Sequence, residues 1–355
     1  MSKILYAASS ASHLYAFHQP YIKALRTAGH TVLTMAYGDG VDFDIPLDKK
    51  MLSPRNLRAI GKIRKILKAE SFDLVILNTS LMAFLVRLAL GRARPRVVNV
   101  VHGYLFPEKP VGLKARGRAA LLLSAERILR KRTDAILTMN EEDLEIARAN
   151  DLAPSVIQTL GMGVPERTAL VPREEIRREY GAEDKLVLAF VGELSKRKNQ
   201  SFLINALAKI RARGVDACLW LAGEGALRKR LEKRASALGC EREVVFLGKR
   251  SDVSDIMRAA DVYVSAAAGE GLPFNIVEAL ASGCRVIASD VKGHRDILSG
   301  GAGELFSLSD EEKFISLVLS GERAPEEKIS SAANRFSYEN VFDSTLSALI
   351  SAGNL

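Results

Sequence analysis

Short apolar runs alternate along the chain with longer stretches in which apolar residues recur every three or four positions. In the first half the runs are KILYAAS (3–9), TVLTMA (31–36), DLVIL (73–77), RVVNVVH (96–102) and DAILTM (134–139). Unbroken apolar runs of this length, closed by polar or Gly-containing segments, predict strands buried on both faces. Helical periodicity predicts helices near 14–28, 54–69, 80–91, 113–132 and 141–150. The rhythm restarts with KLVLAFVG (185–192), ACLWLAG (217–223), EVVFLG (243–248), DVYVSA (261–266) and CRVIASD (284–290), each expected to lead into a helix.

Strand–helix alternation is the mark of βα units and parallel sheets, and two successive series predict an α/β protein of two Rossmann-like domains. The break falls in LGMGVPERTALVPREE (160–175), which is rich in Gly and Pro. The expected domains are therefore 1–165 and 166–335. Residues 336–355 continue the amphipathic segment RFSYENVFDSTLSALI (335–350) as a last helix that packs back on the first domain. Paired α/β domains take their ligands at the carboxyl ends of the strands.

Composition narrows the class. With 355 residues, 48% of them hydrophobic, the chain can bury two sizeable cores. Cys218, Cys240 and Cys284 have no CxxC spacing, which argues against a disulfide framework or a zinc cluster and suits a reducing compartment. The start, MSKILYAASSASHLY, enters a strand without a basic leader. The segment LVILNTSLMAFLVRLALG (74–91) is interrupted by Asn78, Thr79, Ser80 and Arg87. A membrane span needs roughly 20 nearly unbroken apolar residues, so this segment reads as a strand followed by a helix. A cytoplasmic protein is expected.

The net charge of +9 is unevenly spread. Residues 1–165 hold 24 Lys and Arg against 14 Asp and Glu, so the whole excess lies in the first half. RNLRAIGKIRKILKAE (55–70) and KARGRAALLLSAERILRKR (114–132) each mix cations and aliphatics at helical spacing, which predicts amphipathic helices with a basic face. Such faces dock on anionic lipid or on a phosphate-bearing acceptor. Nucleic acid is disfavoured, because no RNA-binding aromatic signature, zinc finger or zipper pattern is present.

The candidate chemistry centres on EGLPFNIVE (270–278). Pro273 suits the first turn of a helix and Gly283 its far end, so a helix is expected over 273–282. Its N-terminus, at Gly271, Leu272, Pro273, Phe274 and Asn275, offers an anion site suited to phosphate. Glu278 lies about 7–8 Å further along the axis, where a carboxylate can accept hydrogen bonds from a ribose diol. Glu270 stays on the preceding loop. In FVGELSKRKNQSFLINAL (190–207), Gly192 ends a strand, and Arg197 and Lys198 bring cations that can neutralise a diphosphate. His102 ends the strand in VVNVVHGYLF, and His13 and His18 lie on the first strand-to-helix connection. AGEGAL (222–227), Lys249 and Arg250 follow later strands, with the two cations expected near a nucleotide base. No Asp-x-Asp triplet or histidine cluster that would hold a metal is visible.

GEGLPFNIVEALASGCRVIASD resembles the donor-site segment of retaining glycosyltransferases of family 4, in which two glutamates stand at this spacing in a GT-B fold. The resemblance implies that Glu270 contacts the donor sugar, Glu278 the nucleotide ribose and Lys198 the diphosphate. Glu193 stands where an arginine is usual, and Arg197 is the substitute cation. It further implies a role for His102 beside the donor sugar. The opening segment, with His13 and His18, is similar to that of capsule and exopolysaccharide transferases and should line the acceptor side. The expectation is a retaining, metal-independent transfer from a nucleotide-sugar, a UDP-sugar by preference, with no cofactor. The acceptor expected is a lipid-linked saccharide at the cytoplasmic membrane face. A nucleotide-sugar epimerase of the same build and a non-catalytic scaffold that binds nucleotide-sugar remain the alternatives.

Overall fold

The computed structural model describes residues 1–48, 53–91, 94–107, 110, 112–163 and 169–355. It divides into two compact units, Met1–Met162 with Val341–Leu355, and Gly163–Asn340. The boundary expected at 165/166 lies outside the described residues.

The first unit is built on a parallel sheet of seven strands: β1 Lys3–Ser10, β2 Thr31–Tyr37, β3 Phe43–Asp44, β4 Leu74–Asn78, β5 Arg96–Val101, β6 Ala135–Thr138 and β7 Ser155–Gln158. Their order is β3-β2-β1-β4-β5-β6-β7. β1 pairs with β2 on one side, Leu5 opposite Leu33, and with β4 on the other, Leu5 opposite Val75. The central strands are apolar at successive positions because helices cover both faces, so inward and outward side chains are equally dry. Leu5, Tyr6, Ala7, Val75, Ile76 and Leu77 are all fully buried. β3 and β7 had no counterpart in the apolar pattern, being short and only half-buried at the edges.

The segment 74–91 resolves into β4 and the helix Ser80–Ala89. Arg87, which interrupts its apolar run, is almost fully buried and makes two hydrogen bonds to Glu126, at 2.8 and 2.9 Å. Glu126 belongs to the basic helix Leu113–Leu129, so the buried pair ties that helix to the unit. Removing one partner of such a pair strands a charge in a dry interior. The last helix, Tyr338–Gly353, enters the first unit over its final three turns. There Arg96 donates to the Ala352 carbonyl at 2.6 Å, and Thr345 to the Gly161 carbonyl at 2.9 Å. Tyr21 packs on Phe342 with ring centres 4.9 Å apart.

The second unit has a six-stranded sheet: β8 Leu186–Val191, β9 Ala217–Ala222, β10 Val244–Gly248, β11 Val262–Ser265, β12 Arg285–Ser289 and β13 Glu304–Phe306, in the order β10-β9-β8-β11-β12-β13. Helices Gln200–Ala212, Arg228–Ala237, Val253–Ala259, Phe274–Ala281 and Lys292–Leu298 follow β8 to β12 in turn. The short helices Arg173–Glu179, Glu311–Ser320 and Glu326–Arg335 and the edge strand β13 complete it.

In each sheet the strand order reverses next to the first strand of the unit, between β1 and β4 and between β8 and β11. Loops that leave those two strands diverge to opposite faces and open a crevice at their carboxyl ends. The candidate residues Gly192, Arg197, Lys198 and Glu270 lie on the loops after β8 and β11. His13 and His102 follow β1 and β5, and Asn78 ends β4.

Candidate active site

In the second unit the two loops at the reversal are sewn together. The Ala268 amide donates to the Arg197 carbonyl at 2.8 Å, and the Arg197 guanidinium to the Gly269 carbonyl at 3.1 Å. Glu270 receives both cations: Lys198 Nζ lies 2.8 Å from Oε1 and Arg197 Nη1 2.5 Å from Oε2. Glu270 and Lys198 are each only 8% exposed, whereas half of the Arg197 side chain faces solvent. Burial alone would raise the Glu270 carboxyl, but the charges and hydrogen bonds of Lys198 and Arg197 hold it below the usual glutamate value. The cationic loop and the first glutamate, which the sequence presents as separate elements, are thus one ion-paired cluster. Lys196 and Glu193 are exposed on the same loop. The Glu193 carbonyl accepts from Gln200 at 2.8 Å.

The helix carrying Glu278 runs Phe274–Ala281, with Pro273 as an extended cap just before it rather than inside its first turn. Asn275 donates to the Val191 carbonyl at the end of β8, at 2.8 Å, and Tyr263 to the same oxygen at 3.3 Å. The Asn275 side chain therefore fixes where the helix starts. Leu272 is buried, while Gly271, Phe274 and Glu278 are half-buried.

Several glycines are set by close backbone approach. Gly192 takes φ +147°, in the region that favours glycine. A Cβ on Gly223 would meet the Gly192 carbonyl at 2.0 Å, and one on Gly225 the Leu194 carbonyl at 2.3 Å. The glycines of AGEGAL thus let this turn seat against the 192–194 loop, which accounts for them without a nucleotide. Arg250 is held by Asp252 through two hydrogen bonds of 2.8 and 2.6 Å, while Lys249 is exposed.

Two further residues support the Glu270 loop, neither singled out by the sequence. Gly293 lies so close beneath it that a Cβ would meet the Gly271 carbonyl at 2.2 Å and Pro273 Cδ at 2.9 Å. His294 is fully buried, with Nδ1 2.7 Å from the Ser289 carbonyl and Nε2 3.4 Å from the Ser265 hydroxyl. Desolvation lowers its pKa to about 4, so it is neutral at physiological pH. The only signal for either was a Gly-His pair just after a strand ending in Asp290.

In the first unit, Ala11–His13 is followed by a π-helical turn, Leu14–His18, and then by the helix Gln19–Thr27. Residues five apart diverge by about 140° around an α-helix, whose repeat is 3.6 residues. The wider π turn brings them back towards one face. His13 and His18 consequently meet, Nε2 to Nε2 at 3.2 Å. His102 joins them, its ring centre 5.1 Å from that of His13 and 5.3 Å from that of His18. This corrects the expectation that no histidine cluster is present: the three converge across the fold, and linear spacing could not show it.

The cluster has a polar support. His102 Nε2 lies 3.3 Å from Asn78 Oδ1 and His18 Nδ1 3.0 Å from the Tyr6 hydroxyl. Thr79, beside Asn78, has φ +66°, unusual for a β-branched residue, and its hydroxyl accepts from the Ser9 amide at 2.9 Å. Burial lowers His13 to about 4 and His102 to about 3, and His18 is pushed down by burial and by its two neighbours. All three rings are neutral near pH 7.

Comparison with known proteins bears on both units. The family profile "Glycosyltransferase Family 4" matches residues 21–167, and "Glycosyl transferases group 1" matches 172–335. EpsD of Bacillus subtilis (strain 168), named as a glycosyltransferase, is 32% identical over 328 residues, 88% of this chain and 85% of that protein. The UDP-Gal:alpha-D-GlcNAc-diphosphoundecaprenol alpha-1,3-galactosyltransferase of Escherichia coli is 25% identical over 276 residues, 75% of this chain and 70% of that protein. Among solved structures, Anabaena Alr3699/HepE in complex with UDP and glucose superimposes with a TM-score of 0.76 at 19% identity, over 99% of this chain and 100% of that one. WaaG, a glycosyltransferase involved in lipopolysaccharide biosynthesis, gives 0.72 at 18% identity, over 97% and 99%. These two show the fold.

The Gly293 contact is directly testable. Gly293→Ala is expected to lower the unfolding free energy by about 1–3 kcal/mol, the usual cost of forcing a methyl into packed backbone. Gly300→Ala, where a Cβ meets nothing within 4 Å, should change it by less than about 0.5 kcal/mol. Equal stability of the two variants in chemical denaturation would show that Gly293 does not support the Glu270 loop.

Proposed function

Because the chain belongs to the family 4 glycosyltransferases and has the parallel-sheet units of the GT-B fold, we propose that it transfers a sugar, with retention, from a UDP-sugar to a lipid-linked saccharide in exopolysaccharide assembly. That it is a glycosyltransferase follows from the family; donor, stereochemistry and acceptor are the proposal. The observation that carries it is the cluster of Lys198, Arg197 and Glu270 at the sheet reversal of the second unit, just before the helix that bears Glu278.

The chemistry asks for three things in that unit. A diphosphate must be held while its bond to the sugar breaks, and preorganised cations do this best where water is scarce. Lys198 and Arg197 are those cations, and they act without a divalent ion on the diphosphate. Glu270 now balances them; when the diphosphate takes over that role, its carboxylate is released towards the sugar hydroxyls. Glu278 accepts hydrogen bonds from the ribose. The acceptor hydroxyl then attacks the anomeric carbon on the face the diphosphate leaves, and its proton passes to the departing phosphate oxygen. His102 keeps its family assignment, steadying the sugar in the transition state. His13 and His18 keep theirs on the acceptor side.

Two comparisons support the donor and acceptor. HepE is described in complex with UDP, and the Escherichia coli relative is named for a UDP-Gal donor and a diphosphoundecaprenol-linked acceptor. The surface of the first unit supports a peripheral place at an anionic membrane. On the helix Leu113–Leu129, Leu113, Leu121 and Ile128 are 88, 71 and 75% exposed. Lys114, Arg116, Arg118 and Arg127 share its exposed positions, so the helix is not the simple basic face its sequence suggested. Its inward side is taken by Ala119, Leu122, Leu123, Leu129 and the Arg87-bound Glu126, which leaves Leu113, Leu121 and Ile128 outside. Cations beside outward-facing aliphatics suit a helix lying in the lipid headgroups. Among the described residues no helix is long and apolar enough to cross a membrane.

Thermal-shift titration with UDP-, GDP- and ADP-sugars tests the donor. One UDP-sugar is expected to raise the melting temperature of the wild type and to do so far less for Glu278→Ala; no shift with any nucleotide would remove the donor assignment and favour a scaffold. Turnover of the donor without an acceptor into its epimer would favour an epimerase. Vesicle co-sedimentation tests the surface. The protein should sediment with anionic and not with zwitterionic vesicles, and a Leu121→Asp, Ile128→Asp double variant should stay in solution. Equal sedimentation of that variant, or none for the wild type, would count against the membrane role.

A further inference from the structure

The three histidines of the first unit pose a problem that the transfer chemistry does not solve. Neutral imidazoles each carry one N–H and one lone pair, yet His13, His18 and His102 turn their rings on one another at centre distances of 5.0, 5.1 and 5.3 Å. One nitrogen from each lies within 4.8 Å of the other two. We propose that this cluster is a binding site for a single transition-metal ion of the zinc class, held by three imidazole nitrogens with a fourth position open.

The spacing is close to what such an ion needs. Zinc–nitrogen bonds of about 2.0–2.1 Å in tetrahedral geometry put ligand nitrogens about 3.3 Å apart. The His13 and His18 Nε2 atoms are already 3.2 Å apart. The third nitrogen lies within 4.8 Å of both, so closing that corner takes a small shift of the ligands towards one another.

The surroundings fix which nitrogens can ligate. Asn78 donates through Nδ2 to the Ala7 carbonyl at 3.4 Å, which leaves Oδ1, an acceptor only, facing His102 Nε2. That nitrogen therefore carries the proton, and the lone pair of His102 sits on Nδ1. Tyr6 lies 3.0 Å from His18 Nδ1, placed to accept its N–H and to leave Nε2 for the metal. An imidazole ligand whose other nitrogen is held by an oriented partner is the usual arrangement at protein zinc sites. The donors are neutral nitrogens with no carboxylate among them, which suits zinc, cobalt or nickel and not magnesium or calcium. Three protein ligands and an open position also differ from the closed four-ligand set of a structural zinc.

The site belongs to the first unit and the cations assigned to the diphosphate to the second, and the ion is not needed for their work. An ion there takes up the lone pair of His102, so the loaded protein should transfer sugar more slowly than the stripped one. That consequence rests on the role proposed for His102; the binding does not.

The test starts from protein stripped with EDTA and desalted, titrated calorimetrically with zinc chloride and, in parallel, with cobalt(II) followed by visible absorption. Binding of one zinc per chain and intense four-coordinate cobalt bands are expected. Tyr6→Phe should weaken zinc about 10- to 100-fold. His13→Ala, at the least buried of the three rings, and His102→Ala should each abolish the cobalt bands. Outside the cluster the chain has only His30 and His294, far apart in sequence, and three buried thiols, Cys218, Cys240 and Cys284. No binding of either ion, or binding unchanged in His13→Ala and His102→Ala, would overturn the site. One zinc bound with turnover unaffected would leave the site standing and remove His102 from the reaction.

Discussion

Glu270 in this protein is a carboxylate kept charged in a dry place. Nine-tenths buried, it is held below the usual glutamate value, against desolvation, by Lys198 and Arg197, which reach it from another loop. Buried ion pairs of this kind are poor sources of stability, since desolvation offsets much of the Coulomb gain, but they are sensitive to any third charge that arrives. A diphosphate is such a charge. In the function proposed, that charge takes the two cations over from Glu270. The surrounding backbone serves to hold the cluster. Gly223 and Gly225 let one turn seat against the cation loop, Gly293 lets a helix seat against the glutamate loop, and Asn275 pins the next helix to the end of β8.

Much of this was legible beforehand. The central strands read clearly because a parallel sheet covered on both faces demands unbroken apolar runs, and nothing else in the chain needs them. The edge strands β3, β7 and β13 did not, since they are half wet and only two to four residues long; the edge strand β10, with five residues, still read as an apolar run. The two glutamates, the lysine and their spacing were visible as a motif. Their pairing was not, because 72 and 73 residues separate Glu270 from Lys198 and Arg197, and only the β8–β11 adjacency brings them together. Likewise Lys249 and Arg250 looked alike on paper, yet Asp252, two residues on, engages the second and not the first.

The histidines show a different limit. A spacing of five residues from His13 to His18 is the wrong interval for an α-helix, so the sequence offered no reason to join them. A single π turn makes the interval right. His102 then completes the group from β5, with Asn78 and Tyr6 behind it on β4 and β1. Local helical irregularity of this sort is where function concentrates, and it leaves little trace in a hydrophobic pattern.

The claim that the Glu270 cluster is a diphosphate receptor in waiting is tested most directly by calorimetric titration of UDP into wild type, Lys198→Met and Glu270→Gln. Losing a charge-assisted hydrogen bond should weaken UDP about tenfold or more in Lys198→Met. Glu270→Gln removes the competing anion, so it should bind UDP at least as tightly as wild type while failing in sugar transfer. If both variants lose UDP alike while remaining folded, the pair is scaffold and the account of its release is wrong.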